Sequence, residues 1–193
     1  MLVVANEEDA LAQLRAGQLC CTRRGGPLAP WGYARPRKLR GVAGAAVELK
    51  PRRARCRSCG SAHVAHVVLP GWCLPRRRGT AQVVVGALVA KASGAGHKKI
   101  ANCLGLPPTT VRGWVRAATS AASYVARVAL QVAFAADARL DSVAPRPTPL
   151  ASAMEALGLA ASALIRALGP VAEPWDIVVA VSGGRLLGPV PPG

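Results

Sequence analysis

The chain has 193 residues and a formal net charge of +16, with hydrophobic residues at 51% and aromatics at only 4%. That length leaves room for one domain or two small ones, and a core short of rings must be built from Val, Leu and Ala, which favours helical packing. No secretion or membrane segment is expected: Met1 to Arg15 carries Glu7, Glu8 and Asp9 with no basic start and apolar run, and the apolar stretch from Ala117 to Ala136 is alanine-rich and interrupted by Arg127.

Charge divides the chain. Residues 1–117 hold 20 of the 25 Lys and Arg but 4 of the 9 acids, and no Asp or Glu falls between Glu48 and Asp137. The remainder is neutral. A basic front half points to a polyanion-binding part, and a neutral rear half to packing or association. Heavy use of Ala, Arg, Gly, Val and Pro fits a GC-rich genome, which inflates Arg by itself. That bias should also raise Asp and Glu, which the front half lacks, so nucleic acid is the favoured partner over a merely solvated basic surface.

The first element, within 1–17, reads as a short helix, with Leu11 and Leu14 at helical spacing. Residues 18–69 read as a zinc-ribbon-like region. Cys56-Arg57-Ser58-Cys59-Gly60 has the form of a zinc knuckle, in which two thiolates three residues apart grip one tetrahedral ion and glycine permits the tight turn. Cys21-Thr22-Arg23-Arg24-Gly25-Gly26 has the outline of its partner, but Arg24 fills the second ligand position and a guanidinium has no lone pair for a metal. Cys21, Cys56 and Cys59 are therefore the candidate zinc ligands, with His63, His66 or Cys20 as substitutes for the fourth; His63 reads equally as a solvent-facing strand residue. One missing thiolate predicts weakened zinc, and Arg24→Cys is expected to raise its affinity. Trp31-Gly32-Tyr33 and Ala46-Val47-Glu48-Leu49 are the strand-like runs between the knuckles. Cys73 and Cys103 read as packing residues.

Residues 70–79 form a basic linker bracketed by Pro70 and Pro75 and ending in Arg76-Arg77-Arg78, either an arm for phosphates and the minor groove or a solvated charge run. Thr80 is the expected N-cap of a helix to about Ser93, with Val84, Leu88 and Lys91 at helical spacing. Residues 97–116 then read as a helix-turn-helix. Ile100 and Leu104 make an i, i+4 pair, Ala101 keeps the crossing small, Gly105 turns the chain, Leu106 plugs the corner, and Val111 and Trp114 stripe the second helix. Thr109, Thr110, Arg112, Gly113 and Arg116 are left facing outward, where a recognition helix meets bases and phosphates, and Lys98 and Lys99 are placed to anchor phosphates. An ordinary αα-corner uses the same spacing, but here the outward positions are basic and none is acidic.

The rear half, 119–187, reads as a helical association region. A helix continues from the recognition helix to about Leu140, and Ser142 to Pro149 links it to another marked by Leu150, Met154, Leu157, Leu164, Ile165 and Leu168. Pro174 opens a last short helix with Trp175, Val178 and Val179, although Ile177 to Val181 also suits a buried strand. Ser182-Gly183-Gly184-Arg185 lacks the Lys-Ser/Thr ending of a phosphate-cradling loop and reads as a turn. Residues 188–193 read as a disordered tail.

Taken together, Cys-x-x-Cys-Gly at 56, the Leu-Pro and Arg-Arg-Arg segment at 74–78, Gly-His-Lys-Lys-Ile-Ala at 96–101, Val-Arg-Gly-Trp at 111–114 and Gly-Gly-Arg-Leu-Leu at 183–187 resemble a family of uncharacterised high-GC bacterial proteins. In that family a zinc ribbon precedes a transposase-type, homeodomain-like helix-turn-helix. The resemblance spans most of the chain and implies an architecture more than an activity. Family members usually carry two intact knuckles, from which Arg24 departs.

The expected fold is thus mainly α, with a small β ribbon-like N-terminal part, a trihelical unit over 80–118 and a helical C-terminal region compatible with a homodimer. The expected function is binding of double-stranded DNA in the cytoplasm at the nucleoid, as a transcriptional regulator or the recognition portion of a mobile-element protein, with a fragment ending near residue 120 keeping most of the affinity. A transposase or nuclease is the rival, but Asp137, Asp141, Glu155, Glu173 and Asp176 lie in helical or linker contexts rather than on the mixed sheet where paired metal ions are usually held. No enzyme is therefore expected. An RNA-binding ribbon protein fits the charge and leaves the helix-turn-helix unexplained.

Overall fold

In the computed structural model, which describes residues 2–4, 7–62, 65–169 and 172–188, strands occupy the front of the chain and helices the rear. Strand β1 (Leu2–Val4) leads into helix α1 (Glu7–Arg15), followed by β2 (Leu28–Tyr33), β3 (Arg37–Arg40), β4 (Ala46–Leu49), β5 (Arg52–Cys56) and β6 (Ala65–Pro70). Four of them form a sheet in the order β1-β6-β5-β2, with β1 parallel to β6 and the other pairs antiparallel, while β3 and β4 make a separate hairpin. The leading segment is therefore not helix alone. Leu2–Val4 joins the sheet, and Ala10 and Leu14, an i, i+4 pair on α1, pack with Leu28, Ala54, Cys56 and Val68 in a small core.

Trp31–Tyr33 and Ala46–Leu49 are strands, as the sequence suggests. Strand β5 is not obvious from Arg52-Arg53-Ala54-Arg55-Cys56, yet its alternation is real: Ala54 and Cys56 point inward and are buried, while Arg55 is exposed. Two of its arginines lie against rings. The Arg53 guanidinium sits 4.0 Å from the Trp31 ring centre, and Lys50 and Arg52 flank Tyr33 at 4.7 and 5.0 Å. Each such contact contributes about 0.5–1 kcal/mol at an exposed site, so a highly charged strand is held with little burial.

Residues 70–79 are not a loose linker. Cys73 and Leu74 are fully buried, and the backbone is fixed by Cys73 N–H to Pro70 O (3.0 Å), Arg77 N–H to Leu74 O (3.2 Å) and Ala81 N–H to Trp72 O (2.8 Å). Strand β3 grips the same strap, because Arg40 N–H donates to Arg78 O (2.6 Å) and Thr80 N–H donates to Arg40 O (3.0 Å). The apolar run Trp72-Cys73-Leu74, which precedes the three arginines and is buried at Cys73 and Leu74, explains the difference.

The helices are α2 (Ala81–Ala92), α3 (His97–Leu104), α4 (Pro108–Ala136), α5 (Pro149–Leu168) and α6 (Pro174–Val181). Proline opens α4, α5 and α6, where its missing N–H costs nothing. Thr80 occupies the N-cap position of α2 without a side-chain cap bond, whereas Thr148 Oγ1 accepts from Ala151 N–H (3.2 Å) at α5. The stretch Ile177–Val181 is helical, not a strand, and glycines at positive φ (Gly183, Gly184) end it. The connection over residues 137–148 is pinned by ion pairs of Asp137 with Arg166 (3.0 Å) and Arg139 (3.3 Å), and by Arg146 gripping both oxygens of Glu155 at 2.5 Å.

All five helices share one core. Val84 and Leu88 of α2, Ile100 and Ala101 of α3, Val111 to Ala133 of α4, Leu150 to Ala161 of α5 and Val179 of α6 form a single buried cluster. Alanines line the α4–α5 seam (Ala118, Ala121, Ala129 and Ala133 against Ala153, Ala156 and Ala160), so the two long helices approach closely. The boundary expected at residue 118 is therefore absent. It falls inside α4, whose 29 residues serve both the expected DNA-binding unit and the rear packing region. A fragment ending near residue 120 would cut α4 and remove α5 and α6 from the core. Helix α5 is long and apolar enough to cross a membrane by length and composition, a property not anticipated from the sequence; in this fold its buried face packs on α2, α4 and α6. Of the expected tail, Gly188 closes a turn onto Arg185 O (3.0 Å), and residues 189–193 lie outside the described residues.

Candidate metal centre and nucleic-acid surface

Two loops and a strand bring the metal candidates together. Cys21 begins a turn in which Gly25 N–H donates to Cys21 O (2.8 Å) and Arg23 N–H donates to Cys21 Sγ (3.4 Å), the N–H···S contact a knuckle needs. Cys56 ends β5, and Cys59 follows in a 3-10 turn. The sulfurs of Cys21, Cys56 and Cys59 lie within 4.8 Å of one another, with Cys21 Sγ 3.8 Å from Cys59 Sγ. These three thiols can hold a metal ion. Gly26 lets the two turns meet: a Cβ there would lie 2.2 Å from Ser58 Oγ, so no larger residue fits without displacing the second knuckle.

The thiols differ in acidity. Cys21 is lowered to about 6, first by the N–H of Arg23, then by that of Arg24, His66 and Cys56, against burial, which raises it. Cys59 is pushed up to about 11, first by its hydrogen bond with Cys56, then by burial and the neighbouring Cys21. A Cys21 sulfur that ionises this readily is a ready donor to a cation.

The candidates for the fourth position separate. Arg24 is exposed, and Cys20 is exposed with its Sγ toward Gln18 O. His63 lies outside the described residues. His66 is buried on β6, and its Nε2 lies 3.3 Å from Cys21 Sγ. Cys73 is buried, as expected of a packing residue, but Cys103 is exposed; it sits on the outer face of α3 between the inward-facing Ala101 and Leu104.

On the basic surface, Lys98 and Lys99 are exposed in the first turn of α3, and Thr109, Arg112 and Arg116 are exposed along the start of α4. Their opposite face is the buried row Val111, Trp114 and Ala118. Gly105 takes φ +58 at the end of α3, and Leu106 N–H closes the turn onto Ala101 O (2.9 Å). Thr110 departs from expectation: it is half-buried and lines a cleft of about 420 Å³ between the β3–β4 hairpin and α4, shared with Lys38, Arg40, Arg78 and Trp114.

The three arginines of the strap also part company. Arg76 and Arg78 are exposed, Arg76 at φ +61. Arg77 is half-buried and donates from its Nη2 to Leu187 O (2.7 Å), which makes it an internal tie to the C-terminal segment rather than a free arm. Two basic residues escaped the sequence reading. Arg40 donates to the carbonyls of Gly105 and Leu104 (3.5 Å to Leu104), capping α3 from the ribbon side, and Lys38 lies beside it. Their signal was the alternation Lys38-Leu39-Arg40 around the buried Leu39. No protein-family model, curated protein or solved structure matches this chain.

Proposed function

We propose that this protein binds double-stranded DNA through α3 and α4, used as a helix-turn-helix, with the start of α4 as the recognition element. The observation that carries the reading is the two-sided start of α4, where Val111, Trp114 and Ala118 are buried while Thr109, Arg112 and Arg116 face solvent. The flanks agree. Lys98 and Lys99 stand on one side, and the hairpin with its neighbouring strap brings Lys38, Arg40 and Arg78 to the other, so phosphates of a groove-bound duplex meet cations on both edges. The role is that of a transcriptional regulator or the recognition part of a mobile-element protein, in keeping with the resemblance of its motifs. Zinc held by Cys21, Cys56 and Cys59 stabilises the ribbon that carries the hairpin.

The nuclease alternative is less well supported, since Asp137 and Glu155, two of the acids it needs, are engaged by arginines. The test is selection of bound fragments from random and genomic duplex DNA, with structured RNA in parallel. Enrichment of a duplex motif is expected. Equal capture of RNA and DNA, or no enrichment, overturns the reading.

A further inference from the structure

The sequence leaves the candidate metal centre one ligand short, and the fold brings one buried imidazole, that of His66, against a sulfur of the trio. In a tetrahedron with metal–sulfur bonds of about 2.3 Å, two sulfurs stand about 3.8 Å apart, and a sulfur and an imidazole nitrogen about 3.6 Å apart. Cys21 Sγ and Cys59 Sγ are 3.8 Å apart, and His66 Nε2 is 3.3 Å from Cys21 Sγ. The first distance matches an edge of such a shell and the second falls about 0.3 Å short of one. His66 stands outside the trio of sulfurs that lie within 4.8 Å of one another, so closing the shell requires its ring to swing toward Cys56 and Cys59.

The register explains why His66 arrives there. It pairs with Ala54 across the β5–β6 ladder, and Cys56 lies two residues beyond Ala54 on the same strand. Period-2 alternation puts Ala54 and Cys56 on one face, and the diagonal neighbour of Cys56 on that face is His66. All three are buried, with His66 only 4% exposed. A buried imidazole needs a polar partner, and here its Nε2 is directed to a sulfur of the cluster.

We infer that His66, through Nε2, is the fourth ligand of a Cys3His zinc site with Cys21, Cys56 and Cys59, taking the place that Arg24 denies to the first knuckle. The inference rests on the reading of the cysteine cluster as a zinc centre and assigns its last ligand. Zinc here closes the sheet from three directions: the Cys21 turn, the end of β5 with its following turn, and β6. With four protein ligands the shell has no open position, so the site is structural.

The test uses the full chain, purified reduced and loaded with zinc or with cobalt(II) as the optical probe. X-ray absorption of the zinc form should show three sulfurs and one imidazole nitrogen. The cobalt form should show tetrahedral ligand-field bands, lost in His66→Ala with at least a ~100-fold drop in zinc affinity, since even outer-shell partners of a ligand are worth ~10–100-fold. His66→Cys should restore tetrahedral cobalt with sulfur-to-metal absorption roughly a third stronger, four thiolates replacing three. That variant keeps the test decisive if His66→Ala does not fold. His63→Ala and Cys20→Ala should change neither spectrum nor affinity. A wild-type shell of three sulfurs and oxygen only, or bands lost in His63→Ala or Cys20→Ala and kept in His66→Ala, overturns the His66 assignment while leaving a zinc site in place. A reduced wild-type chain that takes up neither metal overturns the zinc centre itself.

Discussion

Arg24 stands where a second thiolate would complete the first knuckle, and the buried imidazole of His66 lies against Cys21 instead. Sequence reasoning expects Arg24→Cys to strengthen zinc binding. The inferred His66 ligand leads to the opposite expectation, because a shell closed by His66 would gain little from a fifth donor. Arg24→Cys should change zinc affinity by less than about tenfold in a chelator competition, well below the cost of losing a ligand; a large gain would mean that the fourth place is open. Histidine at 66 was legible in the sequence only as one of three candidates. The deciding fact, its ladder position opposite Ala54, is a long-range register that no local spacing reveals. At the proposed DNA surface, Arg112→Ala should cost about 1–3 kcal/mol on a preferred site and much less on random duplex, as expected of a base contact. Lys98→Ala should weaken both alike. If Arg112→Ala lowers the two equally, that arginine anchors phosphate and the groove assignment is wrong.

Among the elements, α3 and α4 were the most legible, because Ile100, Ala101, Val111 and Trp114 repeat at helical spacing and all four are buried. The β strands were less so. Strand β5 hides its alternation among arginines that rest on Trp31 and Tyr33, and β1 has three residues whose pairing lies on the far side of the ribbon. The connection between α4 and α5 has a testable chemistry. Asp137 is held below the ordinary carboxylate range first by the N–H of Arg139 and then by Arg166, and Glu155 is held below it by Arg146. A carboxylate with a lowered folded pKa contributes stability that is complete above its unfolded value and is lost as pH falls through the folded one. The gain is therefore full above about pH 5 and fades below about pH 4. It is small, since the partner arginines are largely exposed. Glu155→Gln should lower the melting temperature at pH 7 and match wild type near pH 3. A difference that persists unchanged at acid pH would show that the ion pair is not its source.

The whole molecule joins a basic ribbon to a single helical core, and α4 runs through both the proposed DNA-contacting surface and that core. Charge segregation made two separable halves look natural; α4 crosses the division, and Val84, Leu88, Ile100 and Val111 share one buried cluster with Leu157, Ala160 and Val179. A chain ending at residue 120 should therefore lose its cooperative melting transition, since Val85 loses Met154, Leu157 and Val178 beside it and α4 loses its packing against α5. Cooperative melting of that fragment would restore the two-domain division. The central claim, that the basic surface around α3 and α4 grips duplex DNA, is tested most directly by the affinity of the full chain for a duplex across a salt series. If Lys98, Lys99, Lys38, Arg40 and Arg78 each neutralise one phosphate, counterion release gives a log–log slope of about −4.5. A steep linear fall near that slope, made shallower by about 1 in Lys98→Ala, is the predicted result. Affinity independent of salt, or no binding to duplex at low salt, would contradict the account.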